Sequence, residues 1–210
     1  MEHCKFPVSH TLLHNNSLIT VSGPVSSTFL NSLTIHPDLD AFRKPHEQLE
    51  ALIEISELSE GRVIAAVCDQ ILVGYVTFHY PDELELWSQA NMPDLIELGA
   101  IEVADGYRGS GLGRLMLASA FEKEQLENYI VFTTEYYWHW DLKGSGLDVW
   151  AYRNMMEKLM KSVGMVWYAT DDPEICSHPA NCLMVRIGSR VPLSSQETFD
   201  RVRFRQRFMY

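Results

Sequence analysis

Leu95-Ile96-Glu97-Leu98-Gly99-Ala100-Ile101-Glu102-Val103, followed shortly by Arg108-Gly109-Ser110-Gly111-Leu112-Gly113, decides how this chain is read. The first run is apolar enough for a buried strand. From Leu112 to Leu126 the spacing of Leu112, Leu115, Met116 and Leu117 suits a helix packed on a sheet. A strand that turns through glycines into a helix leaves backbone N–H groups unpaired and pointing outward. Together with the positive end of the helix dipole, they make a seat for phosphate oxygens. Glycine serves there because a side chain would block the approach and because such turns often need a positive φ. A phosphorylated cofactor is therefore expected at 108–113.

Spacing narrows the choice of cofactor. A P-loop needs Gly-Lys-Ser/Thr after its first glycine and four further residues, and no such run exists. A dinucleotide fingerprint begun at Gly109 needs Gly or Ala where Arg114 stands, and begun at Gly111 it needs one where Met116 stands. What remains, Arg-x-x-Gly-x-Gly after a Glu-bearing strand, resembles the acyl-CoA pyrophosphate loop of the GNAT family of N-acetyltransferases. The resemblance implies an α/β chain with the acyl-CoA N-acyltransferase fold: a mixed central sheet with a splayed strand pair, flanked by helices. It also implies acetyl-CoA as cosubstrate. The diphosphate would rest on amides from Arg108, Gly109, Ser110, Gly111, Leu112 and Gly113, and the pantetheine arm would pair with backbone at Ile101, Glu102 and Val103.

Composition agrees with an enzyme of this kind. The chain has 210 residues, 46% of them hydrophobic, enough for a full core. Its net charge of −11 argues against a nucleic-acid partner, which requires clustered Lys and Arg. No apolar run reaches the roughly 18 residues that span a bilayer, so no membrane partner is expected. Met1-Glu2-His3-Cys4-Lys5 lacks the basic and apolar regions of a signal peptide, which predicts a cytoplasmic protein. Cys4, Cys68, Cys176 and Cys182 are expected as thiols. The tract Cys176-Ser-His178-Pro-Ala-Asn-Cys182 lacks a Cys-x-x-Cys pair or a second His at ligand spacing, so no metal is expected.

The predicted element order is β-α-α-β-β-β-α-β-α-β, with residues 1–18 as an N-terminal arm and 19–210 as a single N-acetyltransferase domain. Ile19 to Val21 reads as the first strand. Ser26 or Ser27 caps a helix with Phe29, Leu30 and Leu33, and a second helix carries Leu49, Leu52 and Ile53. Arg62–Val67 and Ile71–Phe78 read as a hairpin around Cys68-Asp69-Gln70. After the glycine loop and its helix come a strand over Tyr129–Thr134 and a helix capped by Asp148. Gly164 ends that helix, and a strand follows over Met165–Ala169.

Amide formation needs an uncharged amine, and a lysine with a pKa of about 10.4 pays roughly 4 kcal/mol for that near pH 7.4. A carboxylate that takes the proton reduces the cost. Glu97 is the expected base: among Leu95, Ile96 and Leu98 its carboxylate would be desolvated and its pKa raised toward the working pH. The family resemblance adds that Glu97 stands at the offset before Arg108 where histone-type members keep a catalytic glutamate. Glu102 is the fallback base. Five residues separate the two, so a regular strand turns them to opposite faces. Many family members protonate the departing thiolate with a tyrosine four residues before a closing glycine. Here that place holds Met160 before Gly164 or Met184 before Gly188, so no tyrosine acid carries over. Tyr136, Tyr137 and Tyr152 are left as unaligned candidates.

Longer words, among them Gly23-Pro-Val-Ser-Ser27, His36-Pro-Asp-Leu39, Thr134-Glu-Tyr-Tyr-Trp-His-Trp-Asp-Leu-Lys-Gly144 and Ser177-His-Pro-Ala-Asn-Cys-Leu-Met184, resemble a bacterial branch of the same family concerned with acetoin utilisation. This likeness implies a protein lysine acetyltransferase that modifies AMP-forming acetyl-CoA synthetase and lowers its activity. A small-molecule amine acetyltransferase and a non-catalytic CoA-sensing protein are the alternatives. Tyr137, Trp138 and His139, just after a strand, suit a substrate-contact loop, and His139 could relay a proton. An aromatic mini-core under a loop fits them equally. Arg201, Arg203, Arg205 and Arg207 would share one face of a strand, although Ser194-x-x-Glu197 is a helix capping signal that would break this stripe.

Overall fold

In the computed structural model, which describes residues 2–204, the chain divides into two compact units, one built from 2–79 and 98–125, the other from 80–97 and 126–204. The first begins with a hairpin of β1 (Val8–His14) and β2 (Ser17–Gly23), in register from Val8↔Gly23 to His14↔Ser17. Asn15 and Asn16 form its turn with φ of 48° and 63°. Two successive positive φ angles match the right-handed twist of the strands they join, and asparagine tolerates them. Within the stretch read as an N-terminal arm, β1 is thus a strand. The first strand was expected at Ile19–Val21, inside what is the second.

Helix α1 (Ser27–Asn31) starts where Ser26 accepts the Phe29 amide at 3.2 Å, as the capping signal predicts. The short β3 (Thr34–Ile35) runs parallel to the start of β5, and α2 (Pro45–Glu57) opens on Pro45, whose missing N–H costs nothing there. Strands β4 (Arg62–Cys68) and β5 (Ile71–His79) make the predicted hairpin around Asp69 and Gln70. Leu30, Leu39, Leu52, Val63, Leu72 and Tyr75 are sealed between these strands and α1 and α2. The second half of β6 (Leu95–Val103) and α3 (Leu112–Glu122) complete this unit. Met116 and Leu117 are fully buried on α3, as the apolar spacing requires.

In the other unit the first half of β6 runs parallel to β7 (Ile130–Glu135), from Leu95↔Ile130 to Glu97↔Phe132. Four further elements follow: α4 (Leu142–Ser145), α5 (Val149–Lys161), β8 (Val166–Tyr168) and α6 (Pro173–Cys176). Asp148 caps α5 by accepting the Ala151 amide at 2.8 Å, and Gly164 turns the chain out at φ 80°. β9 (Cys182–Ile187) lies antiparallel to both β7 and β8, and α7 (Leu193–Arg203) covers the core beside it. Trp87 packs 5.1 Å from Phe132 and 6.0 Å from Phe199, over Leu95, Leu183 and Val185.

The expected order omitted β1, β3, β9, α4, α6 and α7. Cys182, weighed as the end of a ligand tract, instead opens the buried strand β9. The arginine stripe is also corrected: Arg201 and Arg203 sit on a helix, where neighbours two apart do not share a face. Arg205 and Arg207 lie outside the described residues.

Candidate active site

The loop before α3 is shaped by two glycines. Gly109 and Gly111 adopt φ of 74° and 86°, and a Cβ added at either would meet nothing within 4 Å. The space beside the backbone is open. Ser110 folds inward, its hydroxyl donating to the Tyr107 carbonyl at 2.6 Å and receiving the Leu112 amide at 3.3 Å. Arg108 is held from both sides: Nε donates to the Val103 carbonyl at 3.1 Å and Nη1 pairs with Asp105 at 3.0 Å. Among the described residues the amides of Gly109, Gly111, Gly113 and Arg114 meet no protein acceptor. Four free donors at the positive end of an eleven-residue helix, with no side chains in the way, suit diphosphate oxygens. Gly113 also faces the strand: a Cβ there would lie 3.8 Å from Ile101 and from Val103, an ordinary packing distance.

Glu97 ends the three-residue ladder to β7 and is only 8% exposed. Its carboxylate has no hydrogen-bond partner among the described residues. Burial first, and then the charges of Glu85 and Asp82, push its pKa up to about 8. These are the conditions under which a carboxylate serves as a base near neutral pH.

Glu102, 5% exposed, is fully engaged. It accepts the Tyr75 hydroxyl at 2.5 Å and the Ala41 amide at 2.8 Å. Burial raises its carboxyl above the ordinary range, while these two donors pull it back. Through them Glu102 ties β5 and the Asp40–Lys44 segment to β6. Nothing in the sequence pointed to Tyr75 or Ala41, which lie far from Glu102 along the chain.

Tyr137–His139 form one helical turn directly after β7. Tyr136 stacks on Trp138 with ring centroids 4.8 Å apart, and Tyr137 packs on His178 at 4.2 Å while its amide donates to Asn181 at 3.0 Å. Trp138 remains 49% exposed. The rings thus support one another, as an aromatic mini-core would, while Trp138 keeps much of its surface open. Trp140 Nε1 donates at 3.1 Å to Glu135, whose carboxyl burial pushes up to about 7. The sequence reading missed Asp82, Glu85, Asp172 and Glu174, which gather around Tyr136 and Glu97 from two distant parts of the chain.

The acetyltransferase (GNAT) family matches residues 31–137. The acetoin utilization protein AcuA of Bacillus subtilis is 56% identical and that of Bacillus licheniformis 55%, each over all 210 residues and the full length of both chains. The crystal structure of an acetoin utilization protein from Exiguobacterium sibiricum, 51% identical, superimposes with a TM-score of 0.96 over 99% of this chain and 98% of that one. Mostly antiparallel strands with a parallel pair, flanked by helices, are the acetyltransferase fold of that family, whose enzymes use acetyl-CoA. No helix among the described residues is long and apolar enough to cross a membrane. With this identity along its whole length, the chain belongs to the GNAT family of acetyltransferases.

Proposed function

We propose that the protein moves the acetyl group of acetyl-CoA onto the side-chain amine of a lysine in AMP-forming acetyl-CoA synthetase, lowering that enzyme's activity, in the cytoplasm. The name of the Bacillus and Exiguobacterium relatives supports a place in acetoin utilisation. The resemblance of the longer sequence words supports the protein substrate. Residues 19–210 would act as one N-acetyltransferase domain.

The observation that carries the catalytic reading is the Glu97 carboxylate, nine-tenths buried and without a hydrogen-bond partner among the described residues. A pKa of about 8 makes it roughly three orders of magnitude more basic than a solvated glutamate. Glu97 takes a proton from the incoming ammonium, directly or through one water. The freed nitrogen pair forms the amide bond to the thioester carbonyl carbon as the C–S bond breaks, and the departing CoA thiolate takes up the second proton that the nitrogen sheds. The amides of Gly109, Gly111, Gly113 and Arg114 hold the diphosphate, each charge-assisted bond contributing roughly 1.5–3 kcal/mol. Backbone at Ile101 and Val103 orients the pantetheine arm. Glu102, saturated by Tyr75 and Ala41, is a strut and not the base. Tyr137, Trp138 and His139 contact the protein substrate.

Incubation with acetyl-CoA and purified acetyl-CoA synthetase, followed by mass spectrometry and a synthetase assay, tests this reading. Acetylation of one synthetase lysine with matching loss of activity is expected. Turnover confined to a panel of polyamines and aminoglycosides would overturn it.

A further inference from the structure

A cleft of about 360 Å³ lies in the unit that carries Glu97, lined by Tyr80, Trp87, Met92, Pro93 and Leu95, with Glu83 at its edge. Leu95, which lines the cleft, and Glu97 are two apart on β6, so a regular strand turns both to one face. The cleft's walls are mostly apolar, with Ser88 and Asn91 among them. Its surroundings are acidic: Asp82 and Glu85 act on Glu97, and Asp172 and Glu174 act on Glu85 and on Tyr136. Among the described residues, every charge acting on Glu97 and Glu85 is negative.

Two features separate this cluster from an ordinary solvated acidic patch. Glu97 is nine-tenths buried, has no hydrogen-bond partner among the described residues, and sits close enough to Asp82 and Glu85 to feel both. Among the described residues no positive charge acts on Glu97 or Glu85, and these acids stand near a space that fits an alkyl chain. A side chain with an apolar stem and a cationic head complements both. The negative charges number more than one ammonium needs, and Asp82, Glu83, Glu85 and Glu174 are exposed where residues beside the target would lie.

We propose that this cleft is the acceptor entrance and that its acidic rim selects lysines flanked by basic residues, disfavouring those flanked by acidic ones. The inference rests on the lysine-acetyltransferase reading and adds its sequence preference. Asp172 sets the rim's geometry as well as its charge, because its carboxylate caps α6 by accepting the amides of Glu174 and Ile175 at 2.9 and 3.1 Å. It is therefore left intact in the test.

The experiment measures acetyl transfer from acetyl-CoA to three end-blocked eleven-residue peptides with one central lysine, flanked by arginines, alanines or glutamates, beside purified acetyl-CoA synthetase. Wild-type protein is expected to favour arginine over glutamate flanks by about 10-fold or more in kcat/KM, mostly through KM, a preference that 0.5 M salt collapses. Asp82→Asn with Glu85→Gln should flatten the ranking, and Asp82→Lys with Glu85→Lys should invert it. Acetyl-CoA titration of the same variants checks that they are folded. Equal turnover of all three peptides by wild type, or a ranking unmoved in both double variants, would overturn the inference and leave the lysine reading standing. Acetyl-CoA binding without transfer to any peptide or to the synthetase would bring down that reading and this inference with it.

Discussion

Glu97 and Glu102 sit five residues apart on one strand, and both are almost wholly buried. Only one of them is satisfied. Glu102 accepts two hydrogen bonds, from a buried tyrosine and a loop amide, so its charge is used to fasten three segments of one unit. Glu97, in the other unit, has no donor among the described residues and is pressed further by two acids. A fold tolerates a buried carboxylate when donors are supplied, as at Glu102. Where it supplies none, the group is held in a costly state that suits proton transfer. On the proposed reading, the difference separates a residue that supports the site from one that works in it.

The largest expected effect follows from that division. Glu97→Gln should lower kcat by roughly 10²–10⁴ with acetyl-CoA affinity retained, because the amide fills the same space and accepts no proton. In wild type, kcat/KM should rise with pH through about 8, where the carboxyl loses its proton, and this ionisation should vanish from the profile of the variant. A kcat within a few-fold of wild type would remove Glu97 from the chemistry.

Next in size is a stability change of opposite sense. The Glu97 carboxyl titrates at about 8 when folded against 4.5 as its ordinary value. Folding is therefore unpenalised below pH 4.5, loses stability as pH rises from there to 8, and carries the full penalty above 8. Glu97→Gln should accordingly raise the free energy of unfolding, by an amount that grows across that window toward about a few kcal/mol. Denaturation of both proteins at pH 5 and pH 8.5 measures it. A variant destabilised equally at both values would show that Glu97 is paired in solution.

Local signals made much of this legible. Ser26, Asp148 and Gly164 marked helix ends because capping is a matter of a few neighbouring residues. The β4–β5 hairpin and the glycine loop before α3 were legible for the same reason. Strand β1 escaped although Asn15-Asn16 is a hairpin turn signal, because Leu12 and Leu13 break the alternation on an edge strand where Leu13 stays 69% exposed. Strand β9 escaped because Leu183-Met184-Val185 is apolar without period, as in any strand buried on both faces. At the site, Glu97 could be picked out from its apolar neighbours. Its acidic company could not, since Asp82 and Glu174 are brought together only by the fold. The same is true of Tyr75 and Ala41, which supply the two hydrogen bonds that Glu102 accepts.

Glu102→Gln tests the strut directly. An amide can accept through its oxygen alone, so one of the two donors, Tyr75 or Ala41, loses its partner in a closed space. A loss of about 1–3 kcal/mol in stability is expected, with kcat changed far less than in Glu97→Gln. The opposite pattern, a stable protein with a collapsed kcat, would make Glu102 the base.

Tyr75→Phe is the mildest probe and the most specific. It keeps the ring in the core and removes one donor, leaving Glu102 with the Ala41 amide. The cost should be about 1 kcal/mol at neutral pH. Its pH dependence carries the information. The Tyr75 hydroxyl lowers the Glu102 pKa, so its removal raises further a carboxyl already held above its ordinary value. The wild type's advantage is then greatest where Glu102 is ionised, and it shrinks as pH falls through the raised titration range and the carboxyl becomes protonated in both proteins. At Glu97 the substitution gains stability as pH rises, whereas at Tyr75 it loses stability over the same change. If the two curves ran in parallel, the two carboxylates would share one environment and the division of labour between them would not hold.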